Sequence, residues 1–305
     1  MLTRLNIVDG RLVESAEPNG QIHVYIAPDA EERKRLIEEF RLDEHTLQSS
    51  LDPDELARLE FEPDHAAVIF KRPRNYSSED HFLFKVLSTG LFLFNDRLII
   101  VRAEDTPIFD GRPFARVSGL KDVLLKLVYR AIFHFEEHLK VINMISTQLE
   151  QEINTAMENK HLLNLFTLEK SLTYYLNAIT SNAMLIEKLK NQAAKLGFTG
   201  ENIEFIDDMI IENNQCHQQA SIYSNILAGL MDARASIVAN NLNVLMKNLN
   251  IIMIALMLPT LVVSIFSMNV ALPIAKDHPV SFWIVMTLAL ASAVAVAVVW
   301  KRKKV

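Results

Sequence analysis

The spacing of apolar residues changes along the chain, and each change predicts a different architecture. Up to about residue 118 the apolar residues fall in short runs that predict β-strands, namely "QIHVYIA", "HAAVIFKRP", "FLFKVLSTGLFLFN" and "RLIIVRA". The pair Asn95-Asp96 between the last two runs predicts a hairpin turn. The segment "PDAEERKRLIEEFRL" starts with Pro-Asp and has helical spacing. Residues 1–118 are therefore predicted to form a cytoplasmic α/β domain, a sheet flanked by helices.

From residue 119 to about 247 the apolar residues follow the period of an α-helix. Two long segments without Gly or Pro predict two long helices, and Gly197 and Gly200 then interrupt the pattern. A third segment runs without an obvious break from about residue 201 to 268, which as one helix is about 100 Å long. Such a helix needs partners along its length, most simply other copies of itself. This region is predicted to be a long-helix bundle and stalk.

Residues 248–305 contain two uncharged segments of membrane-spanning length. Leu249–Met268 and Ser281–Trp300 are each as long as a transmembrane helix requires, roughly 20 residues. Trp300 is followed by "KRKK", and an aromatic anchor with a basic cluster marks a cytoplasmic helix end. The prediction is a transmembrane hairpin with both termini in the cytoplasm.

Charge and cysteine content narrow the functional classes. Residues 1–247 hold 26 of the 31 basic and 36 of the 37 acidic residues, a net charge of about −10. This charge attracts cations and argues against nucleic-acid binding, although a solvated acidic surface has the same composition. Cys216 is the single cysteine, so the chain forms no internal disulfide, which fits a reducing compartment. The charged N-terminal segment does not have the pattern of a signal peptide.

Polar residues recur every three or four positions on the third helix and continue into the first span. We call this set the polar stripe. Its members are Asp232, Ser236, Asn240, Asn243, Lys247 and Asn250, continued by Met257, Thr260 or Leu261, Ser264 and Met268. A helix that lines a water-filled pore needs such a stripe, because lipid penalises polar groups. A solvated stalk face is the alternative for the part before the span.

The end of the first span carries a family motif. Met257–Val270 reads "MLPTLVVSIFSMNV", and Leu51–Pro73 reads "LDPDELARLEFEPDHAAVIFKRP". Both segments resemble those of the CorA-type divalent-metal channels, whose signature at this point is Gly-Met-Asn. The resemblance implies a homopentamer with a cytoplasmic α/β funnel, a long stalk helix that becomes the pore-lining span, and an outer second span. Two departures bear on ion choice: Ser267 replaces the Gly, and the following loop lacks the usual acidic residue unless Asp277 substitutes for it.

The resemblance also implies roles for individual residues. Mg²⁺ releases its water reluctantly, so a selective entrance offers neutral oxygen atoms to the waters of the hydrated ion. The implied selectivity filter is Ser267, Met268 and Asn269. The implied pore-lining and gate residues are Asp232, Asn243, Leu249, Met257, Thr260 and Ser264, with Leu249 and Met257 as apolar constrictions. Asp208, with Asp207 beside it, matches the position of a metal-sensing carboxylate between subunits.

The sequence thus predicts a non-enzymatic channel of the cell inner (plasma) membrane that takes up Mg²⁺ along the membrane potential, gated by cytoplasmic Mg²⁺. The sequence contains no P-loop motif, so ATP is not an expected partner. Transport of Zn²⁺, Co²⁺ or Ni²⁺ and a non-conducting membrane-anchored scaffold or sensor are the alternatives. The segment "HFEEH" (His134–His138) matches an H-x-x-E-H hydrolase pattern, but a solvent-facing or funnel-lining pair is the preferred interpretation.

Overall fold

The elements of secondary structure follow the periods seen in the sequence. A computed structural model describes residues 1–15, 20–155, 159–268, 270, 274 and 280–303. The strands are β1 (Leu2–Val8), β2 (Arg11–Glu14), β3 (Ile22–Ile26), β4 (Arg58–Phe61), β5 (Ala66–Pro73), β6 (Val86–Leu93) and β7 (Leu98–Arg102). The helices are α1 (Ala30–Glu38), α2 (Glu44–Ser49), α3 (Leu120–Thr155), α4 (Asn159–Asn191), α5 (Ala193–Leu196), α6 (Gly200–Phe266) and α7 (Val280–Lys303).

The seven strands form one sheet with the order β2-β1-β3-β7-β6-β5-β4. Strands β3 and β7 are parallel, whereas every other neighbouring pair is antiparallel. The predicted hairpin is confirmed, since β6 and β7 pair with Leu93 opposite Leu98. Between these two parallel strands the chain forms α1, α2 and the β4–β5–β6 meander, and β7 then pairs with β3. The α/β class predicted from the sequence is confirmed.

Both faces of the sheet are covered, which explains why its central strands are continuously apolar. On one face, Val68, Leu91 and Ile100 pack in a core with α3 and α4. On the other face, Phe92 and Ile99 pack against α1 and α2. Because side chains alternate along a strand, neighbouring residues of one strand supply the two cores.

Side-chain amide and carboxylate groups hold helices in place around the sheet. Asp29 caps α1 by accepting a hydrogen bond from the Glu32 backbone N–H at 2.8 Å, and Glu32 accepts one from the Asp29 backbone N–H. This capping box satisfies two N–H groups that the first helical turn leaves free. On α4, Asn182 accepts from the Lys71 backbone N–H and donates to the Lys71 carbonyl, both at 2.8 Å. These two hydrogen bonds attach β5 to α4 at Lys71, which lies beyond Ile69, the last residue of β5 that pairs with β4.

Three strands have no clear signal in the sequence. β1 and β2 lie at one edge of the sheet and β4 lies at the other. Their residues are mostly half-buried or exposed, in contrast to the fully buried pattern of β5 and β7. Edge strands tolerate polar and charged side chains on both faces, so their sequences lack a distinct apolar run.

The chain divides into two compact units, Met1–Met231 and Asp232–Val305. The first contains the sheet, α1 to α5 and the first half of α6. The second contains the remainder of α6 and α7. Both α6 and α7 are long and apolar enough, with mean hydropathies of 2.4 and 2.5 in their most apolar windows, to cross a membrane. The domain boundaries predicted at residues 118 and 247 stay predictions. In the first unit, residues of the sheet and of the long helices belong to one hydrophobic core.

Candidate ion pathway and metal-sensing residues

Within the span, the polar-stripe residues Met257, Thr260 and Ser264 lie on the side of α6 that faces away from α7, whereas Lys247 lines a groove with Val296 and Trp300 of α7. The half-buried positions of the span are Ile251, Ala255, Pro259, Val262 and Phe266, which recur every three or four residues. On α7 the corresponding face includes the buried Ala289. At 100° per residue, Met257, Thr260 and Ser264 point away from the α7-facing set. This geometry leaves the stripe available to other contacts.

The predicted pore residues are all exposed within the single chain. Leu249 has 50% and Met257 has 69% of its surface exposed. Asp232, Asn243, Thr260 and Ser264 are also exposed. One chain therefore brings the stripe to one helix face but does not enclose it. Successive residues of this set lie about one to three helical turns apart along α6, and none makes a ring by itself.

Two hydroxyl groups near the end of α6 donate hydrogen bonds to backbone carbonyl groups of the preceding turn. Thr260 donates through its Oγ1 to the Leu256 carbonyl at 2.7 Å, and Ser267 donates through its Oγ to the Ser264 carbonyl at 2.9 Å. A hydroxyl that donates in this way keeps its oxygen lone pairs free to accept from another group. Both residues consequently present acceptor oxygens at the surface of the helix.

The helix ends at the predicted filter residues. α6 finishes at Phe266, and the backbone N–H of Ser267 still reaches the Val263 carbonyl at 3.1 Å and the Ser264 carbonyl at 3.2 Å. Met268 follows as an exposed residue, whereas Asn269 lies outside the described residues. The last turn of a helix leaves carbonyl groups unpaired and carries the negative end of the helix dipole. This end of α6 therefore favours cations.

The two candidate sensing carboxylates have different environments. Asp207 forms an ion pair with Lys190 of α4, with its Oδ1 2.6 Å from Nζ. Asp208 is exposed and lies on the same helical face as Glu212, one turn further on. Burial, together with the charges of Glu212 and Asp208, raises the pKa of Tyr129 on α3. Asp208 thus belongs to an acidic surface between α3 and α6, whereas Asp207 is neutralised.

This acidic surface extends to α3. Burial and the charge of Glu212 raise the pKa of Glu136. Across the described ranges, no three His, Cys, Asp or Glu side chains converge as a set of metal ligands. Asp208 is therefore not part of a preformed cluster of three such ligands in the described ranges.

The histidine pair of α3 is not solvent-facing, so that interpretation of "HFEEH" is wrong for His138. Only 9% of the His138 surface is exposed, and its Nδ1 lies 2.6 Å from the Tyr175 hydroxyl. Burial lowers the pKa of His138 to about 4. The charged residues beside it in sequence obscured this contact, because only the packing of α3 on α4 brings Tyr175 to it.

Comparisons with known proteins match this architecture. A family model described as CorA-like Mg²⁺ transporter protein matches residues 22–303. The chain belongs to this CorA-like family. The cobalt/magnesium transport protein CorA of Methanocaldococcus jannaschii is 23% identical over 272 residues, which cover 86% of this chain and 83% of the relative. The family resemblance drawn from the sequence is confirmed.

Two solved structures share the fold of this chain. The complete structure of the CorA magnesium transporter from Methanocaldococcus jannaschii has a TM-score of 0.81 at 20% identity and covers 99% of this chain and 96% of that one. The full-length CmaX structure has a TM-score of 0.69 at 16% identity and covers 100% and 97%. At these identities the likeness concerns the fold alone.

Lys190 is the functional-site neighbour that the sequence did not reveal. It precedes Asp207 by 17 positions and lies on a different helix. Its position near the C-terminus of α4 was visible, but its partner was not, because the register between α4 and α6 depends on packing. Asn213 contributes to that register by donating to the Ile179 carbonyl at 3.2 Å.

Proposed function

We propose that this chain assembles as a homopentamer in the cell inner membrane and conducts hydrated divalent cations, with Mg²⁺ as the principal ion. The observation that carries the proposal is the part of the polar stripe within the span, Met257, Thr260 and Ser264, on the face of α6 opposite to α7. Repetition of α6 around a symmetry axis turns each stripe residue into a ring. With both termini in the cytoplasm, α7 faces the lipid bilayer and α6 lines the pore.

The proposed lining suits a cation that keeps its water. Mg²⁺ retains several waters in most protein sites, and those waters donate hydrogen bonds to neutral oxygen acceptors. The oxygens of Thr260 and Ser267 are available because their protons are bound within the helix. In the proposed filter, Asn269 adds a ring of amide oxygens outside Ser267 and Met268. Asn243 forms an inner amide ring, and Asp232 forms a carboxylate ring that concentrates cations at the cytoplasmic mouth.

Apolar positions of the same stripe provide a gate. Leu249 and Met257 are exposed in the single chain and would form rings that exclude water when they close together. The membrane potential drives uptake, at about 2.3 kcal/mol per charge for each 100 mV. No step in this mechanism consumes ATP.

Cytoplasmic Mg²⁺ is proposed to hold the channel closed by binding at Asp208. The like charges of Asp208 and Glu212, one helical turn apart, repel each other, and a bound cation would relieve this repulsion. Because Lys190 already neutralises Asp207, Asp208→Ala is expected to weaken inhibition by internal Mg²⁺ much more than Asp207→Ala. Equal inhibition of the two variants and the unmodified protein would contradict the sensing role.

Ion flux into proteoliposomes tests conduction directly. The purified chain is expected to pass Mg²⁺ and Co²⁺, and the comparison with Zn²⁺ and Ni²⁺ decides between the ion alternatives. Asn269→Ala and Asn243→Leu are each expected to abolish flux. A non-conducting scaffold predicts no flux in any variant. Because Ser267 replaces the family's Gly, Ser267→Gly is expected to change the ratio of ion fluxes.

Cysteine substitution tests the orientation of the stripe. Met257 and Leu290 each have 69% of their surface exposed in the single chain, so they form a matched pair. A membrane-impermeant cationic thiol reagent is expected to block flux through Met257→Cys and to leave Leu290→Cys unmodified. Modification of Leu290→Cys alone would reverse the assignment of pore and lipid faces. The natural Cys216 does not interfere, because it is buried.

A further inference from the structure

The first unit contains a cavity of about 200 Å³ between the sheet and α3, remote in sequence from the polar stripe. Its floor is formed by Phe70, Arg72 and Thr89 from β5 and β6. Its wall is formed by α3, which contributes Arg130 and His134, and by the segment after β7 that contains Thr106. The volume is much larger than a single water molecule requires.

Two buried guanidinium groups meet beside this cavity. Arg72 has 5% and Arg102 has 1% of its surface exposed. Arg72 donates through Nη1 to the Thr106 hydroxyl at 3.2 Å, and Arg102 donates to the same hydroxyl oxygen through Nη2. Arg72 also donates through Nε to Thr89 at 3.3 Å. The two cations therefore converge on one neutral oxygen atom.

Neither guanidinium has an anionic partner within the part of the chain that the structure describes. The neighbouring carboxylate of Glu104 is bound by Arg74 at 2.8 Å, and Asp110 is bound by Arg130 at 3.2 Å. Arg72 Nη2 and Arg102 Nε are buried without a hydrogen-bond partner. Burial and the charge of Arg72 lower the pKa of Arg102 to about 10, so it stays protonated at neutral pH. Buried charges are normally paired, whereas these two are offset only beyond ion-pair distance, by the charge of Glu104 on both arginines and that of Asp105 on Arg102.

The remaining polar groups of the cavity are able to donate hydrogen bonds. Asn75 provides an amide and Thr89 a hydroxyl. Burial, followed by the charges of His138, Arg130 and Arg72, lowers the pKa of His134 to about 3, so its ring is neutral and offers one N–H. Asp110 is the one acidic lining residue, and its charge is compensated by Arg130.

We propose that this cavity binds a phosphate-type oxyanion, with Arg72 as the direct ligand and Arg102 as a second charge behind Thr106. Guanidinium groups match the geometry and charge of phosphate oxygens. Inorganic phosphate is a mixture of its singly and doubly charged anions at neutral pH, so it offsets much of the charge of the two guanidiniums. The site is independent of the proposed ion pathway, because all of its residues belong to the first unit.

Equilibrium dialysis of the detergent-solubilised full chain with radiolabelled inorganic phosphate tests the proposal. We expect about one phosphate bound per chain, displaced by sulfate but not by chloride at equal ionic strength. Absence of binding, or equal displacement by chloride, would overturn the proposal.

Three substitutions make the test specific. Arg72→Met is expected to weaken phosphate binding roughly tenfold or more, because it removes a charged hydrogen-bond donor. Arg102→Met removes charge without changing the cavity lining, and is also expected to weaken binding. Arg41→Met, on an exposed arginine paired with Asp64, is the matched control and should bind phosphate as the unmodified chain does.

Thermal unfolding distinguishes a loss of phosphate binding from a loss of folding. Phosphate is expected to raise the Tm of the unmodified chain and of Arg41→Met, but not that of Arg72→Met. Without phosphate, Arg72→Met should be at least as stable as the unmodified chain, since it removes an uncompensated buried charge. Equal phosphate stabilisation of all variants would place the anion elsewhere.

Discussion

The two units of the chain use apolar residues in opposite ways. In Met1–Met231, the sheet and helices enclose a core in which residues such as Val68, Leu91 and Val128 are fully buried. In Asp232–Val305, Ala289 is the one described apolar residue that is fully buried, and Leu256, Met257 and Leu290 each expose more than two thirds of their surface. The first unit buries most of its apolar residues within one chain, whereas the second leaves an apolar surface exposed that lipid and other copies would cover in the proposed assembly.

The helix α6 contains this contrast within a single element. Its buried residues Ile206, Met209, Asn213, Cys216, Ala220 and Leu227 recur at helical spacing and stop at Leu227. Beyond that position the described part of α6 has no buried side chain, although its apolar content rises. Apolar character alone therefore does not determine whether a residue of α6 is buried. Burial also requires the other elements of the first unit to pack against the helix.

The largest expected effect comes from a charge placed on the exposed apolar surface of the second unit. Leu290→Asp is expected to reduce membrane insertion strongly, because an Asp at the centre of a spanning helix costs about 3 kcal/mol. Met184→Asp, at a site in α4 with 56% exposure, is the matched control and should fold and insert normally. Membrane fractionation with protease protection measures both. Normal insertion of Leu290→Asp would mean that its exposure reflects water rather than lipid.

The next effect concerns the contact between helix and sheet in the first unit. Asn182→Ala leaves the Lys71 N–H and carbonyl without their partners in a buried position. The expected loss is roughly 2–4 kcal/mol of unfolding free energy, since each unsatisfied buried group costs about 1–3 kcal/mol. Denaturant unfolding measures it. Asn214→Ala, at an exposed position of α6, should change stability little.

A smaller effect depends on pH and also belongs to the first unit. Burial lowers the pKa of His138 from 6.5 to about 4 in the folded chain. Between these values the unfolded chain binds a proton that the folded chain does not, so stability falls as pH decreases from 6.5 towards 4. The loss is on the order of 2 kcal/mol near the lower limit.

Unfolding of variants between pH 4 and pH 7 isolates this contribution. His138→Gln keeps a polar partner for Tyr175 and is expected to lessen the decline in stability at acidic pH, while His134, whose pKa is also lowered, maintains the rest. His45→Gln, at an exposed histidine of α2, should retain the full decline. If His138→Gln and the unmodified chain have the same pH dependence, His138 is protonated in the folded protein.

The smallest effect tests the buried face of α6 in the first unit. Burial raises the pKa of the Cys216 thiol to about 12, so its reactive thiolate is scarce at neutral pH. Cys216 is therefore expected to resist alkylation until the chain unfolds, and Cys216→Ala should cost about 1 kcal/mol. Ile222→Cys, at a residue with 55% exposure, provides the reactive control. Rapid alkylation of Cys216 in the folded chain would contradict its burial.

Several elements could be predicted because their signal is local. The strands β3, β5, β6 and β7 appear as dense apolar runs, since both faces of the sheet are covered. The long helices appear through their apolar period, and α1 through the Asp29 cap. The polar stripe also follows from spacing alone, because residues three and four apart share a helix face. The orientation of Met257, Thr260 and Ser264 away from α7 became visible only from the packing of the two helices.

The candidate site was only partly accessible in this way. Asp207 and Asp208 are adjacent in sequence and have the same chemistry, yet Lys190 neutralises one of them. The buried arginines were visible as the charged end of "HAAVIFKRP" and "RLIIVRA", but the convergence of Arg72 and Arg102 on Thr106 was not. That convergence depends on the order of β5, β6 and β7 in the sheet.

The sequence by itself determined the two spans, the helical and strand periods and the residues that lie on the polar stripe. These properties depend on hydrophobicity and on spacing within one element. Tertiary structure alone decided the edge strands, the parallel pairing of β3 with β7, the burial of His138 and the unpaired charges beside the cavity. Each of these depends on which distant segment packs against a residue, since burial and charge pairing are properties of contacts between elements.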